Sequence, residues 1–163
     1  MPLWMRATVM TLLLPGVVAG LIPYQIAQSA WALPFSSSLI PWVGWPLLLL
    51  GIAVLLVTIW AFAFSGRGTL APWDAPTTLV QGGLYQWVRN PMYLGVLAAI
   101  LGQALLWTSL GVVAYAIVMT MSFHLRVVGF EEPALLAQFG VPFEAYCRSV
   151  PRWIPRRPRT GIV

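Results

Sequence analysis

What this chain has least of is charge. Of its 163 residues only 8% are charged, with 9 basic side chains, all of them arginine, against 4 acids. Ordinary soluble domains carry about 25% charged residues, so any water-facing surface here would be largely apolar, which excludes a soluble globule. A content of 60% hydrophobic residues and a mean hydropathy of +0.83 exclude a disordered chain as well. The single cysteine, Cys147, allows no intrachain disulfide and reads as a small apolar residue on a short helix. The single histidine, His124, has only methionines such as Met119 and Met121 near it, too few ligands for a metal or haem, so no metal site is expected.

Long uncharged runs are what the chain has instead. No charged residue occurs between Arg6 and Arg67, or between Arg89 and Arg126. Each interval is about twice or more the roughly 20 residues that one spanning helix needs. The first breaks at Gln28 to Ser38, where Pro34 and the serines mark a loop, and the second turns at Trp107-Thr108-Ser109. The predicted architecture is all-α: a single polytopic membrane domain with four transmembrane helices near 7–27, 39–64, 91–106 and 110–127, a loop at 65–90 and a helical tail at 130–163.

The arginines set the orientation, because cytoplasmic loops are enriched in basic residues. With four spans, Arg6, Arg67, Arg89, Arg126, Arg148, Arg152, Arg156, Arg157 and Arg159 all fall on one side, and the opposite loops are uncharged. N- and C-termini, the 65–90 loop and the tail are therefore expected to be cytoplasmic, in a multi-pass protein of a cytoplasmic (inner) membrane. Tryptophans mark both interfaces: Trp31, Trp42, Trp45 and Trp107 outside, Trp4, Trp73, Trp87 and Trp153 inside. A cleaved signal peptide ending near Ser29-Ala30-Trp31-Ala32 would also explain the first apolar run. Its removal would leave an odd number of spans before the tail, so the run is kept as a span. The basic, proline-broken tail suits anionic headgroups; without a folded basic module it does not suggest nucleic acid.

Chemistry has few places to sit. The polar residues gather in the 65–90 loop (Arg67, Asp74, Arg89) and around Arg126, Glu131 and Glu132, with Glu144 beyond, all on the predicted inner face. A loop of that length is usually functional. It contains the turn-rich Ser65-Gly66-Arg67-Gly68-Thr69 and Ala71-Pro72-Trp73-Asp74-Ala75-Pro76, then Gln81-Gly82-Gly83-Leu84-Tyr85, where the backbone can approach a ligand. Arg89-Asn90-Pro91-Met92-Tyr93-Leu94-Gly95 starts the third span, with Pro91 suited to its first turn and free N–H groups there for an anionic group. Gly129-Phe130-Glu131-Glu132-Pro133 puts two carboxylates just before another proline-started helix, where they complement its dipole or hold a ribose diol or a cation. Leu135, Leu136, Phe139, Phe143, Tyr146 and Val150 form an apolar helical stripe, broken at Gly140 and Pro142, that folds over the pocket or anchors to the membrane with Trp153. Each of these features also has a purely structural reading.

Together the two motifs resemble those of the integral-membrane methyltransferases that include isoprenylcysteine carboxyl methyltransferase and the phospholipid N-methyltransferases. That family carries an Arg-His-Pro-x-Tyr-x-Gly run at the start of a span and, after a helical hairpin, Glu-Glu. Arg89 to Gly95 and Glu131-Glu132 match in order and spacing, Gly83-Leu84-Tyr85 is similar to the family's Gly-Pro-Tyr, and Gly140 through Pro155 is similar to its closing segment. The resemblance covers about residues 65–155, while the first two spans match only in hydropathy. It implies a pocket for S-adenosylmethionine, leaving S-adenosylhomocysteine, with cofactor-binding residues Gly83, Tyr85, Arg89, Asn90, Pro91, Tyr93, Gly95, Glu131 and Glu132. Two positions depart from the pattern. Leu84 replaces proline, and Asn90 stands where histidine is usual, keeping a donor and an acceptor but not a titrating imidazole.

Methyl transfer is an in-line attack on a sulfonium, so alignment and exclusion of water are the main requirements. The resemblance implies a lipophilic or membrane-embedded acceptor. An isoprenylcysteine-like carboxylate would want an orienting cation, for which Arg89 and Arg126 are the candidate catalytic residues; a phospholipid amine would want a base. The sequence contains both, with a slight preference for the carboxylate. Three other readings remain in view. A coupled exporter would need an embedded carboxylate, absent from residues 7–66 and 90–125; a structural or assembly subunit would need no pocket; and an enzyme that has lost activity but still binds cofactor would fit Asn90 in place of histidine.

Overall fold

The computed structural model describes residues 15–29, 34, 40–61 and 78–158, and all of the regular structure among them is helical. A π-helical segment, Val17–Leu21, leads into α1 (Ile22–Gln28); α2 is Ile40–Ala61, α3 Pro91–Leu106 and α4 Leu110–Arg126. Beyond a second π-helical segment, Val127–Glu131, come α5 (Glu132–Phe139) and α6 (Val141–Ser149). The first expected span is seen from its middle onward, residues 7–14 lying outside the described residues. So do the expected span end at 62–64, most of the first loop, and the segment holding Arg67, Trp73 and Asp74.

Two of these helices are long and apolar enough to cross a membrane: Pro41–Ala61, and Leu110–Phe139 taken through its π-helical segment. Val17–Gln28 and Pro91–Leu106 are apolar but shorter. Only 22% of each long window is buried within the protein, so these are not core helices of a water-soluble fold. Trp42, Leu49, Leu56 and Trp60 on α2, and Ile117, Val118, Met121 and Leu125 on α4, face outward, an apolar surface that hydrocarbon can cover at no cost.

The tightest packing joins α2 to α3, and small residues permit it. A Cβ on Gly51 would lie 2.5 Å from the Ala99 amide nitrogen, and one on Gly102 would lie 2.6 Å from that of Leu48. Gly44 and Gly95 belong to the same seam. Close approach of this kind is how helices associate in lipid, where burial of apolar surface supplies little. At the far end, Thr108 takes a positive φ of 46° and Ser109 caps α4 by accepting from the Val112 amide at 3.3 Å, which makes the turn expected at Trp107-Thr108-Ser109.

One expectation fails here. The chain does not leave the helix between the fourth span and Glu131-Glu132 to begin a new proline-started helix. Val127–Glu131 widens into a π turn in which the Glu132 amide donates to the Val127 carbonyl. Pro133 has no N–H and its ring crowds the preceding turn; the wider turn absorbs both defects without a break. The two glutamates therefore ride on a continuous helical rod. The break expected at Gly140 is present, with φ of 57° ending α5.

Candidate active site

The cleft lies where α3 begins, the π turn passes and the tail folds back. Leu79, Val80, Tyr85, Arg89, Asn90, Met92, Tyr93, Val127, Glu131, Glu132, Leu135, Phe143 and Tyr146 line a cleft with a cavity volume of about 100 Å³. Its apolar wall is the tail stripe: Phe143, Tyr146 and Val150 are buried, with Leu79, Leu135, Phe139 and Cys147 packed against them. Leu136 of the predicted stripe points outward. The helical tail thus folds onto the site.

Each glutamate has its own arginine partners. Glu131 Oε1 accepts from the Tyr93 hydroxyl and, at 2.7 Å, from Arg126 Nε. Its Oε2 has no partner among the described residues. Glu132 Oε1 accepts from Arg89 Nη1 and Arg152 Nε, both at 2.7 Å, and its Oε2 accepts from Arg152 Nη2 at 2.8 Å. Side chains of Arg89 and Glu132 are only 13% and 19% exposed, against 48% for Arg126, so the inner pair is much the better shielded. Arg89 Nη1 also reaches Cys147 Sγ at 3.0 Å, while Arg89 Nε is buried with no partner among the described residues.

The final segment, Val150 to Pro158, is a strap. The Arg89 amide donates to the Pro151 carbonyl at 2.9 Å, Asn90 Nδ2 to the Arg152 carbonyl at 3.2 Å, and the Arg156 amide to the Trp87 carbonyl at 2.9 Å. Asn90 thus spends its side chain on the strap and leaves the amide end of α3 without a side-chain cap. Trp153, expected as a membrane anchor, packs its ring 6.4 Å from that of Tyr93 and donates to His124 Nδ1 at 3.1 Å.

Burial pushes the hydroxyls of Tyr85 and Tyr146 well above the usual tyrosine range, Tyr85 further through its neighbours Tyr146 and Glu131. Both phenols are therefore neutral, and Tyr146 donates to the Tyr85 carbonyl at 2.8 Å. Burial likewise raises the Cys147 thiol, against the pull of Arg89. Donating its hydrogen bonds to the Glu132 carboxylate raises the pKa of Arg152.

Of the sequence-predicted site residues, Tyr85, Arg89, Asn90, Tyr93, Glu131 and Glu132 line one cleft. Arg126 joins it through Glu131. Pro91 is buried at the first turn of α3. Gly83 lies on an exposed 3-10 turn with φ of 61°, outside the cleft lining, where only a glycine is unstrained. Gly95 packs against Val54 and Leu55 of α2 rather than lining the cleft. Sequence reasoning missed Arg152, read there only as part of a basic tail. No local signal marked it, because Arg152 and its partner Glu132 lie 20 residues apart in the chain.

The phospholipid methyltransferase family model matches residues 39–141. Protein-S-isoprenylcysteine O-methyltransferase of Schizosaccharomyces pombe (strain 972 / ATCC 24843) is 36% identical over 81 residues, which are 49% of this chain and 34% of that protein. The match thus spans about a third of the relative's length. No solved structure matches the chain significantly.

Proposed function

Since this chain belongs to the phospholipid methyltransferase family, we propose that it transfers a methyl group from S-adenosylmethionine to a lipophilic acceptor that reaches the cleft from the membrane. The observation that carries this is the convergence of Tyr93, Glu131, Arg89 and Glu132 on one cleft from segments some forty residues apart. Its polar groups fit the cofactor. Arg89 Nε is a buried donor without a partner among the described residues, and Glu131 keeps an oxygen free for an ammonium or a ribose hydroxyl. Tyr93 offers a ring to positive charge.

When bound, the cofactor supplies an activated methyl whose bond to sulfur breaks as the bond to the acceptor forms. The protein's own share is alignment and dryness. Phe143, Tyr146 and Leu135 form an apolar wall that excludes water, and the arginine-held glutamates fix the polar floor. Among acceptors we favour a carboxylate of the isoprenylcysteine type. The Schizosaccharomyces pombe relative is named for O-methyl transfer. An amine would have to surrender a proton to a base, and each cleft carboxylate already holds an arginine on at least one oxygen. A phospholipid amine is the second reading, favoured by the family's description.

The membrane topology that goes with this is four spans with both termini and the cleft on the cytoplasmic face. It is supported by the arginines, which flank the uncharged runs on one side. Arg156 and Arg157, exposed at the end of the strap, suit anionic headgroups.

The test is calorimetric titration of S-adenosylhomocysteine into the detergent-purified protein, for the wild type, Tyr93→Ala and Glu131→Gln. Saturable binding that weakens by about 1–3 kcal/mol in each variant is expected for loss of a partly buried polar contact. Unchanged affinity in both variants refutes the site, and no binding to the folded wild type refutes the function.

A further inference from the structure

Arg89 uses its guanidinium oddly. A guanidinium beside a carboxylate ordinarily offers two N–H groups in a parallel fork, yet Arg89 gives Glu132 only Nη1 and keeps Nε buried and unpaired among the described residues. Arg152 accounts for this. Its own fork, Nε to Oε1 and Nη2 to Oε2, already spans both oxygens of Glu132, and Cys147 Sγ takes a further contact from Arg89 Nη1. With the fork position on Glu132 filled, Arg89 has no second carboxylate oxygen there for its Nε.

A buried donor left without a partner is costly, and such groups in folded proteins usually have a use. An anionic oxygen is the partner that a guanidinium N–H binds most strongly, and Arg89 lines the cleft. Resting on the cofactor reading above, we propose that Arg152 is a positioning residue: by occupying Glu132 it reserves Arg89 Nε as a free donor for the carboxylate at the methionyl end of the cofactor. Asn90 is the clasp of the same device. Its Nδ2 holds the Arg152 carbonyl, and the Arg89 amide holds the neighbouring Pro151 carbonyl, so the strap presents Arg152 to Glu132 from the correct side. The asparagine that departs from the family pattern thus has a task of its own.

The experiment compares two probes that share nucleoside and sulfur and differ in the amino-acid end, S-adenosylhomocysteine and 5′-methylthioadenosine. Binding of each to the full chain in detergent is measured for the wild type, Arg152→Gln, Arg152→Lys and Asn90→Ala. Arg152→Gln should weaken S-adenosylhomocysteine about ten- to a hundredfold and leave 5′-methylthioadenosine within about twofold. Arg152→Lys, which keeps the charge but not the fork, should recover only part of the loss, and Asn90→Ala should act in the same direction. Equal weakening of both probes would mean a merely structural arginine, and unchanged S-adenosylhomocysteine binding would mean no role, so either overturns the proposal while the cofactor site stands. Failure of the folded wild type to bind S-adenosylhomocysteine overturns the cofactor reading and this proposal with it.

Discussion

Replacing Glu132 by glutamine should cost far more stability than the same change at Glu131, although the two residues are adjacent and chemically alike. Glu132 receives three charge-assisted hydrogen bonds from two arginines, one of which, Arg89, is 13% exposed. Glutamine keeps one acceptor and turns an NH₂ toward an arginine donor. Breaking a fully buried ion pair costs about 3–5 kcal/mol because the surviving charge is stranded. Arg152 is a third exposed and can turn to water, whereas Arg89 cannot, so about 2–4 kcal/mol is expected. At Glu131 the partner Arg126 is half exposed. An exposed pair contributes at most about 1 kcal/mol and the Tyr93 hydroxyl bond about 1 more, so Glu131→Gln should cost about 1–2 kcal/mol. The assay is the apparent Tm of each variant without ligand, in one detergent at one scan rate, read by near-UV circular dichroism. Glu132→Gln should melt clearly below Glu131→Gln. The reverse order, or coincident curves, would refute the division of labour between the two acids.

The helix seam and the thiol give two further tests. Gly51→Ala and Gly102→Ala set a methyl against the backbone of Ala99 and Leu48. Backbone cannot rotate aside, so each should lower stability by about 1–3 kcal/mol, while Gly20→Ala, with open space around it, should stay within about 0.5 kcal/mol; equal Tm values for the three would sink the close-packing account. For Cys147, burial raises the thiol's pKa in the folded state and outweighs the lowering by Arg89. The protonated form is therefore favoured by folding, a contribution present below the free-thiol pKa and lost as pH rises through the folded one. Iodoacetamide labelling of Cys147 should show a pH midpoint above that of a free cysteine, and a midpoint below it would contradict the assigned environment.

Among the described residues, the sequence by itself determined the helical class and most of the helix boundaries. Uncharged runs bounded by Arg6, Arg67, Arg89 and Arg126 leave helix as the way to satisfy the backbone in lipid, and Pro91, Thr108-Ser109 and Gly140 punctuate them at the observed boundaries. Most of the lining of the candidate cleft was legible too, because Arg89, Asn90, Tyr93 and the two glutamates belong to short motifs whose order and spacing survive in one dimension. Tertiary structure decided what these residues do to one another. Arg89 meets Glu132 across 43 residues and Cys147 across 58, and no local pattern encodes such a meeting. The π turn that carries Pro133 through an unbroken rod was equally illegible, since a proline after two acids reads locally as a helix start. Gly83 and Gly95 show the same limit: in the chain each sits beside a motif, but folding sends one to an exposed turn and the other to a helix seam. Arg152 is the sharpest case. In sequence it is one arginine of a basic tail, and only the strap's return across Trp87 to Asn90 makes it the partner of Glu132.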